Sequence, residues 1–166
     1  LNGPLKYPAF TENLHYECEL VLKVSKKGFN IPKENAENYY EEISLGIDFT
    51  ARDIQDKLKA KGLPWEKAKA FDGSAVVGNF ISKSIFNNIK DVDFKLLKNA
   101  ETVQNGNTSL MIYTIDVLIE EITKYFTIEP GDLIFTGTPK GVGSTVKGDN
   151  YKGILGGKEV LSSEIV

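Results

Sequence analysis

The sequence predicts a β-rich α+β fold. Three observations carry that expectation: a long alternating run near the start, short apolar stretches separated by Gly, Asn and Asp beyond Trp65, and few segments with helical periodicity. Leu14 to Val24 alternates with period two, placing Tyr16, Cys18, Leu20, Leu22 and Val24 on one face and Glu17, Glu19, Val21 and Lys23 on the other. Pro32 to Glu42 is polar with paired tyrosines and reads as a short helix leading into the strand-like run Ile43–Phe49. Thr50 followed three residues later by Asp53 resembles a capping box with Asp in place of Glu. It would open a helix through Arg52, Gln55 and Leu58, which Gly62 and Pro64 stop. Ala75–Ile81, Phe94–Leu97 and Thr108–Tyr113 read as strands. Ile115 to Tyr125 carries a helical stripe of Ile115, Leu118, Ile119 and Ile122, expected to pack on a sheet. Pro130-Gly131 makes a turn before a strand at Asp132–Gly137, a glycine-rich loop at Thr138–Gly143 and, after Gly156-Gly157, a closing strand at Lys158–Val166.

Composition narrows the function. With 166 residues, 41% hydrophobic and 26% charged, the chain has the make-up of one ordinary globular domain spanning 1–166. The net charge of -3 is built from intermixed signs, so no basic face offers itself to a phosphate backbone and nucleic-acid binding is disfavoured. A single cysteine, Cys18, excludes an intrachain disulfide framework and a cysteine zinc cluster. No apolar run reaches the ~18 residues that span a bilayer, and Leu1–Lys6 lacks the charged-then-apolar order of a signal peptide; a cytoplasmic protein is expected.

The chemistry points to carboxylates. Two strand positions separate Glu17 from Glu19, which puts their Cα atoms ~6.5–7 Å apart with side chains leaning to a common point. Asp48 ends another strand-like run. Carboxylates on rigid strands suit a hard cation such as Mg²⁺, which prefers oxygen and keeps waters that a substrate can displace. Alternating acids equally make the wet face of an ordinary strand, and spacing alone leaves both readings open.

Five blocks of sequence decide between them: Leu-His-Tyr-Glu-Cys-Glu-Leu (14–20), Asp-Phe-Thr-Ala-Arg-Asp-Ile-Gln (48–55), Lys-Gly-Leu-Pro-Trp-Glu-Lys-Ala-Lys-Ala-Phe-Asp (61–72), Gln-Asn-Gly-Asn-Thr-Ser (104–109) and Gly-Asp-Leu-Ile-Phe-Thr-Gly-Thr-Pro-Lys-Gly-Val-Gly (131–143). In this order they resemble the motifs of the fumarylacetoacetate hydrolase superfamily, in its small acylpyruvate hydrolase and oxaloacetate decarboxylase branch. The resemblance implies a mixed β-roll with short flanking helices and a homodimer. It also implies a Mg²⁺ or Mn²⁺ site at Glu17, Glu19 and Asp48. Arg52, Gln55 and Lys69 would line the substrate pocket, Thr138 would hold a substrate carboxylate, and Lys69 would also act in catalysis. The implied reaction is cleavage next to a 2-oxo group, by acylpyruvate hydrolysis or oxaloacetate decarboxylation. A 2-hydroxyhepta-2,4-diene-1,7-dioate isomerase is the alternative enzyme, and a catalytically impaired metal-binding fragment the non-enzymatic one. The superfamily's proposed base is a His–Glu pair on a segment that would precede Leu1.

Two other signals carry less. His15, the only histidine, lies on the Glu17/Glu19 side of the alternation and reads as structural rather than as a base. The loop Gly137–Gly143 suggests phosphate binding, but it lacks Gly-Lys followed by Ser or Thr and no helical pattern follows it, which excludes a nucleotide-triphosphatase loop.

Overall fold

The computed structural model describes residues 3–166, so Leu1 and Asn2 of the Leu1–Lys6 stretch lie outside the described residues. Among the described residues, twelve strands and three α-helices follow each other as β1 (Leu14–Tyr16), β2 (Cys18–Val24), β3 (Tyr40–Asp48), β4 (Thr50–Ala51), α1 (Arg52–Ala60), α2 (Glu66–Lys69), β5 (Ala75–Val77), β6 (Ile81–Ser82), β7 (Asp93–Lys98), β8 (Glu101–Asn107), α3 (Ile115–Thr123), β9 (Leu133–Phe135), β10 (Gly143–Ser144), β11 (Asn150–Leu155) and β12 (Lys158–Glu164). They form a five-stranded sheet, β5-β3-β2-β9 with β6 also on β3, a four-stranded sheet β12-β11-β7-β8, and a three-stranded sheet β10-β1-β4. Ladders between these strands are antiparallel, and a parallel bridge joins Leu5 to Ile165. The β-rich class with short flanking helices is the one expected.

The core lies between the two larger sheets. Leu20, Leu22, Ile43, Leu45 and Ile47 from β2 and β3 are fully buried with Leu96, Tyr151, Leu155 and Leu161 from the facing sheet. Each of the Leu and Ile side chains contributes about 1.5–3 kcal/mol by leaving water. Gly78 and Gly153 permit the close approach: a Cβ on Gly78 would sit 2.4 Å from the Val160 carbonyl oxygen, and one on Gly153 would sit 3.1 Å from Leu45.

The alternating run from Leu14 to Val24 is two strands rather than one. At Glu17 the chain leaves the small sheet for the five-stranded one, and Phe49 makes the reverse step between β3 and β4. Both sheet changes occur side by side, because the Asp48 N–H bonds to the Glu17 carbonyl at 2.9 Å.

Several local expectations are corrected. Thr50 does not cap α1. It pairs with His15 in the β1–β4 ladder, and Asp53 instead accepts a hydrogen bond from the Thr11 hydroxyl. Thr108–Tyr113 is not a strand: a 3₁₀ turn at Thr108–Leu110 begins it, with the Asn107 side chain accepting from the Ser109 N–H. The polar segment after Pro32 is a 3₁₀ helix, Lys33–Tyr39, rather than a helix to Glu42, and β3 begins at Tyr40. α3 packs most extensively against that 3₁₀ helix, while its Ile115 and Ile119 join the core shared with the sheets; the Thr123 hydroxyl accepts from the Ile31 N–H at 3.0 Å. Ala75–Ile81 splits into β5 and β6 around Gly78, both still paired with β3.

Candidate metal and substrate site

The β2–β3 register builds the acidic cluster. Cys18 pairs with Ile47 and Glu19 with Gly46, so Asp48 falls opposite Glu17. One carboxylate oxygen each from Glu17, Glu19 and Asp48 lies within 4.8 Å of the other two. This is not a wet strand face, since Glu19 is only 5% exposed and Val21 beside it is fully buried. Gly46, across from Glu19, leaves that space to Phe135 and Val21, which a Cβ there would meet at 2.6 and 2.8 Å.

Two cations stand over the acids. Arg52 begins α1 and spans Glu17 and Gln55 with its two terminal nitrogens, as a planar guanidinium can. Gln55 is buried and accepts from Arg52, which fixes the guanidinium. Lys69 ends the one-turn helix α2, seated by the buried Ala68, and its Nζ lies 2.7 Å from both Glu17 Oε2 and Asp48 Oδ2. Burial works to lower the Lys69 pKa, but the bonds to Asp48 and Glu17 outweigh it and hold the ammonium charged. For Glu17, burial is likewise overcome by Lys69 and Arg52, and its pKa falls. Asp48 is raised, by burial first, with Lys69 opposing.

Glu19 carries the imbalance. Burial pushes its pKa up to about 7, against the Gly137 N–H bond, and the Asp48 and Glu17 charges add to the rise. The surroundings therefore hold more carboxylate than Arg52 and Lys69 neutralise. An all-oxygen donor set with unmet negative charge fits a hard divalent cation, and Glu17, Glu19 and Asp48 would hold it.

A loop closes the far side. The Gly137 N–H donates to Glu19 Oε2 at 2.7 Å, and the Thr138 hydroxyl donates to the Cys18 carbonyl at 2.8 Å. Gly137 and Thr138 also line a cleft of about 520 Å³ with Leu20, Phe94, Met111 and Lys140, so the acids and the cleft share one loop. Sequence reasoning assigned no role to Gln104, which bonds both this loop and Cys18, although it heads the motif block 104–109. His15 bonds Asn13 through Nε2 at 3.0 Å. Burial first, then Arg52, lowers its pKa, which keeps the imidazole neutral, and its Nδ1 is buried without a hydrogen-bond partner among the described residues.

The profile described as fumarylacetoacetate (FAA) hydrolase C-terminal matches residues 1–165. The chain belongs to the fumarylacetoacetate hydrolase family. Within it, a mitochondrial oxaloacetate tautomerase of Rattus norvegicus is 40% identical over 155 residues, covering 93% of this chain and 70% of that protein. A mitochondrial oxaloacetate decarboxylase of Dictyostelium discoideum is 37% identical over 155 residues, covering 93% and 71%. The solved fumarylpyruvate hydrolase of Pseudomonas aeruginosa, in complex with Mn²⁺ and pyruvate, superimposes with a TM-score of 0.93 at 36% identity, covering 99% of this chain and 71% of that one. Among the described residues no helix is long and apolar enough to cross a membrane.

Proposed function

We propose that this family member is a divalent-metal-dependent enzyme that cleaves a small 2-oxo acid, by oxaloacetate decarboxylation or acylpyruvate hydrolysis. One observation carries the reading: Glu17, Glu19 and Asp48 converge beneath Arg52 and Lys69, and Gly137, whose N–H binds Glu19, also lines a neighbouring cleft. The relatives named above support it, since tautomerisation, decarboxylation and fumarylpyruvate hydrolysis all pass through an enolate next to a 2-oxo group. Bound at the three carboxylates, Mg²⁺ or Mn²⁺ would supply Lewis-acid polarisation of the 2-oxo carboxylate. The chain's own groups do the rest. Arg52, steadied by Gln55, would offer its guanidinium to a substrate carboxylate, and Lys69 Nζ would hold a positive charge beside the enolate left by the broken C–C bond. Thr138, on the loop bordering the cleft, would orient the distal carboxylate by turning its hydroxyl hydrogen from the Cys18 carbonyl to the substrate.

Residues 1–166 act in this reading as one catalytic domain, supported by the Leu5 and Tyr7 N–H groups bonding Glu164 and Val166 at 2.8 Å. A homodimer in the cytoplasm completes it; the exposed Leu110, Ile112 and Tyr113 at the cleft rim support an apolar contact. The test is turnover of oxaloacetate and fumarylpyruvate by the purified chain with Mn²⁺ and with Mg²⁺. Rates above those of metal alone, lost in Glu19→Gln, are expected for at least one substrate. Equal rates with and without protein would overturn the assignment.

A further inference from the structure

Gln104 sits on β8, the edge strand of its sheet, yet it is 1% exposed. Both ends of its amide are engaged. Oε1 accepts from the Cys18 N–H at 2.8 Å, while Nε2 donates to Thr138 Oγ1 at 2.9 Å and to the Pro139 carbonyl at 3.0 Å. The chemistry of the partners dictates this orientation. A backbone N–H can only donate and a proline carbonyl can only accept, and the single Thr138 hydroxyl hydrogen is already given to the Cys18 carbonyl.

The partners are the two halves of the acidic site. Cys18 lies between Glu17 and Glu19, and Thr138 and Pro139 follow Gly137, whose N–H holds the Glu19 carboxylate at 2.7 Å. The loop also lies flat on β8: Gly141 has φ +103, and a Cβ there would meet the Val103 carbonyl oxygen at 2.4 Å and Gln104 Cγ at 3.3 Å. We propose that Gln104 is a positioning residue of the metal site, a latch that clamps the Gly137–Pro139 loop to the ligand-bearing strand and so keeps the Gly137 amide on Glu19. The proposal rests on the metal reading given above. Gln104 touches neither metal nor substrate in this role; it acts through Gly137 and Glu19. Glu and Met, of similar size, cannot do this, because Glu lacks the two donors and Met offers only a weakly accepting thioether.

The experiment compares Gln104→Met, Leu96→Ala and Glu19→Gln in the full chain. Leu96 is the buried cross-strand partner of Gln104 on β7, so its truncation reports what general loss of packing does. Three quantities are read: Mn²⁺ affinity by calorimetric titration, melting temperature, and hydrogen exchange of the Gly137 amide in metal-free protein. Gln104→Met should weaken Mn²⁺ binding by about 10–100-fold, the usual effect of losing a group that orients a metal ligand, and should speed Gly137 exchange. Leu96→Ala should lower the melting temperature while leaving both of those near the parent's. Parent-like Mn²⁺ affinity in Gln104→Met, with binding lost in Glu19→Gln, overturns the latch and leaves the metal site standing. Parent-like binding in Glu19→Gln overturns the metal site and the latch with it. Unchanged Gly137 exchange in Gln104→Met overturns the latch on its own. Should Gln104→Met not fold, Thr138→Val, which removes one acceptor of the same amide from the loop side, carries the same expectations.

Discussion

Replacing Lys69 by Met should pull stability and metal affinity in opposite directions. In the metal-free chain the ammonium makes two charge-assisted bonds at 2.7 Å, to Glu17 Oε2 and Asp48 Oδ2. Bonds to charged groups contribute about 1.5–3 kcal/mol each. The Lys69 side chain is 25% exposed and Asp48 26%, so solvent screening brings the pair nearer the low end, about 2–3 kcal/mol in total. Removing the ammonium also leaves the crowded carboxylates with only Arg52, so the loss is not recovered elsewhere. For a chain of this size each kcal/mol shifts the melting temperature by about 2–4 °C, giving a fall of roughly 4–12 °C in chelator. A divalent cation, however, would claim the oxygens that Lys69 occupies. Parent protein gives up part of its ion pairing to bind metal, and the Met variant has none to give up. If that cost equals about one of the two bonds, Mn²⁺ affinity in Lys69→Met rises about tenfold, or ~1.4 kcal/mol. Thermal unfolding with chelator and with Mn²⁺, beside calorimetric titration, measures both effects. A variant that melts like the parent without metal, or binds Mn²⁺ more weakly, would show that Lys69 is not the internal counter-ion of the cluster.

Arg52→Ala should lower kcat/KM and also cost a few degrees of melting temperature, because the guanidinium ties Glu17 to Gln55 as well as facing substrate; steady-state kinetics and a melt on the same sample separate the two. Asp149 is buried and accepts from the Val146 N–H at 2.8 Å, Asn99 at 2.7 Å and Lys98 at 3.1 Å; burial works to raise its pKa, but these bonds outweigh it and depress it. A depressed carboxyl stabilises above its unfolded value of 3.8, and that contribution disappears as pH falls through the lower folded value. Parent protein should thus exceed Asp149→Asn by about 2 kcal/mol at pH 7, with the gap closing below pH ~4 in denaturant titrations. Gly46→Val should cost about 1–3 kcal/mol by overpacking against Phe135 and Val21, and the shift of β9 should lower Mn²⁺ affinity through Gly137; an unaltered denaturation midpoint would contradict the crowding seen there.

Period-two alternation pointed from sequence alone to Glu17 and Glu19 lying on one side of the run, because side-chain direction in extended chain is a local property of the backbone, and their carboxylates do converge although the strand breaks at Glu17. The helix that carries Arg52 and Gln55, the turn at Gly62 with φ +63, and the closing strand after Gly156-Gly157 were legible for the same reason. The five motif blocks named the family and the candidate ligands. Local rules failed where a long-range partner claimed the same atoms. Thr50 had the makings of a helix cap, but its backbone is taken by β1, which no spacing within 50–58 could reveal. The 3₁₀ turn at Thr108 follows from its hydroxyl bonding the Ile89 carbonyl and the Val92 N–H, residues far outside any strand-length window. Tertiary structure alone decided that the acid face is covered rather than wet, that Asp48 stands opposite Glu17, and that Lys69 reaches both. Gln104 makes the point most directly: its partners are 86 residues away at Cys18 and 34 at Thr138. A side chain's hydrogen-bonding capacity is written in its chemistry, but the groups that fill it are chosen by the register of strands brought together only when the chain folds.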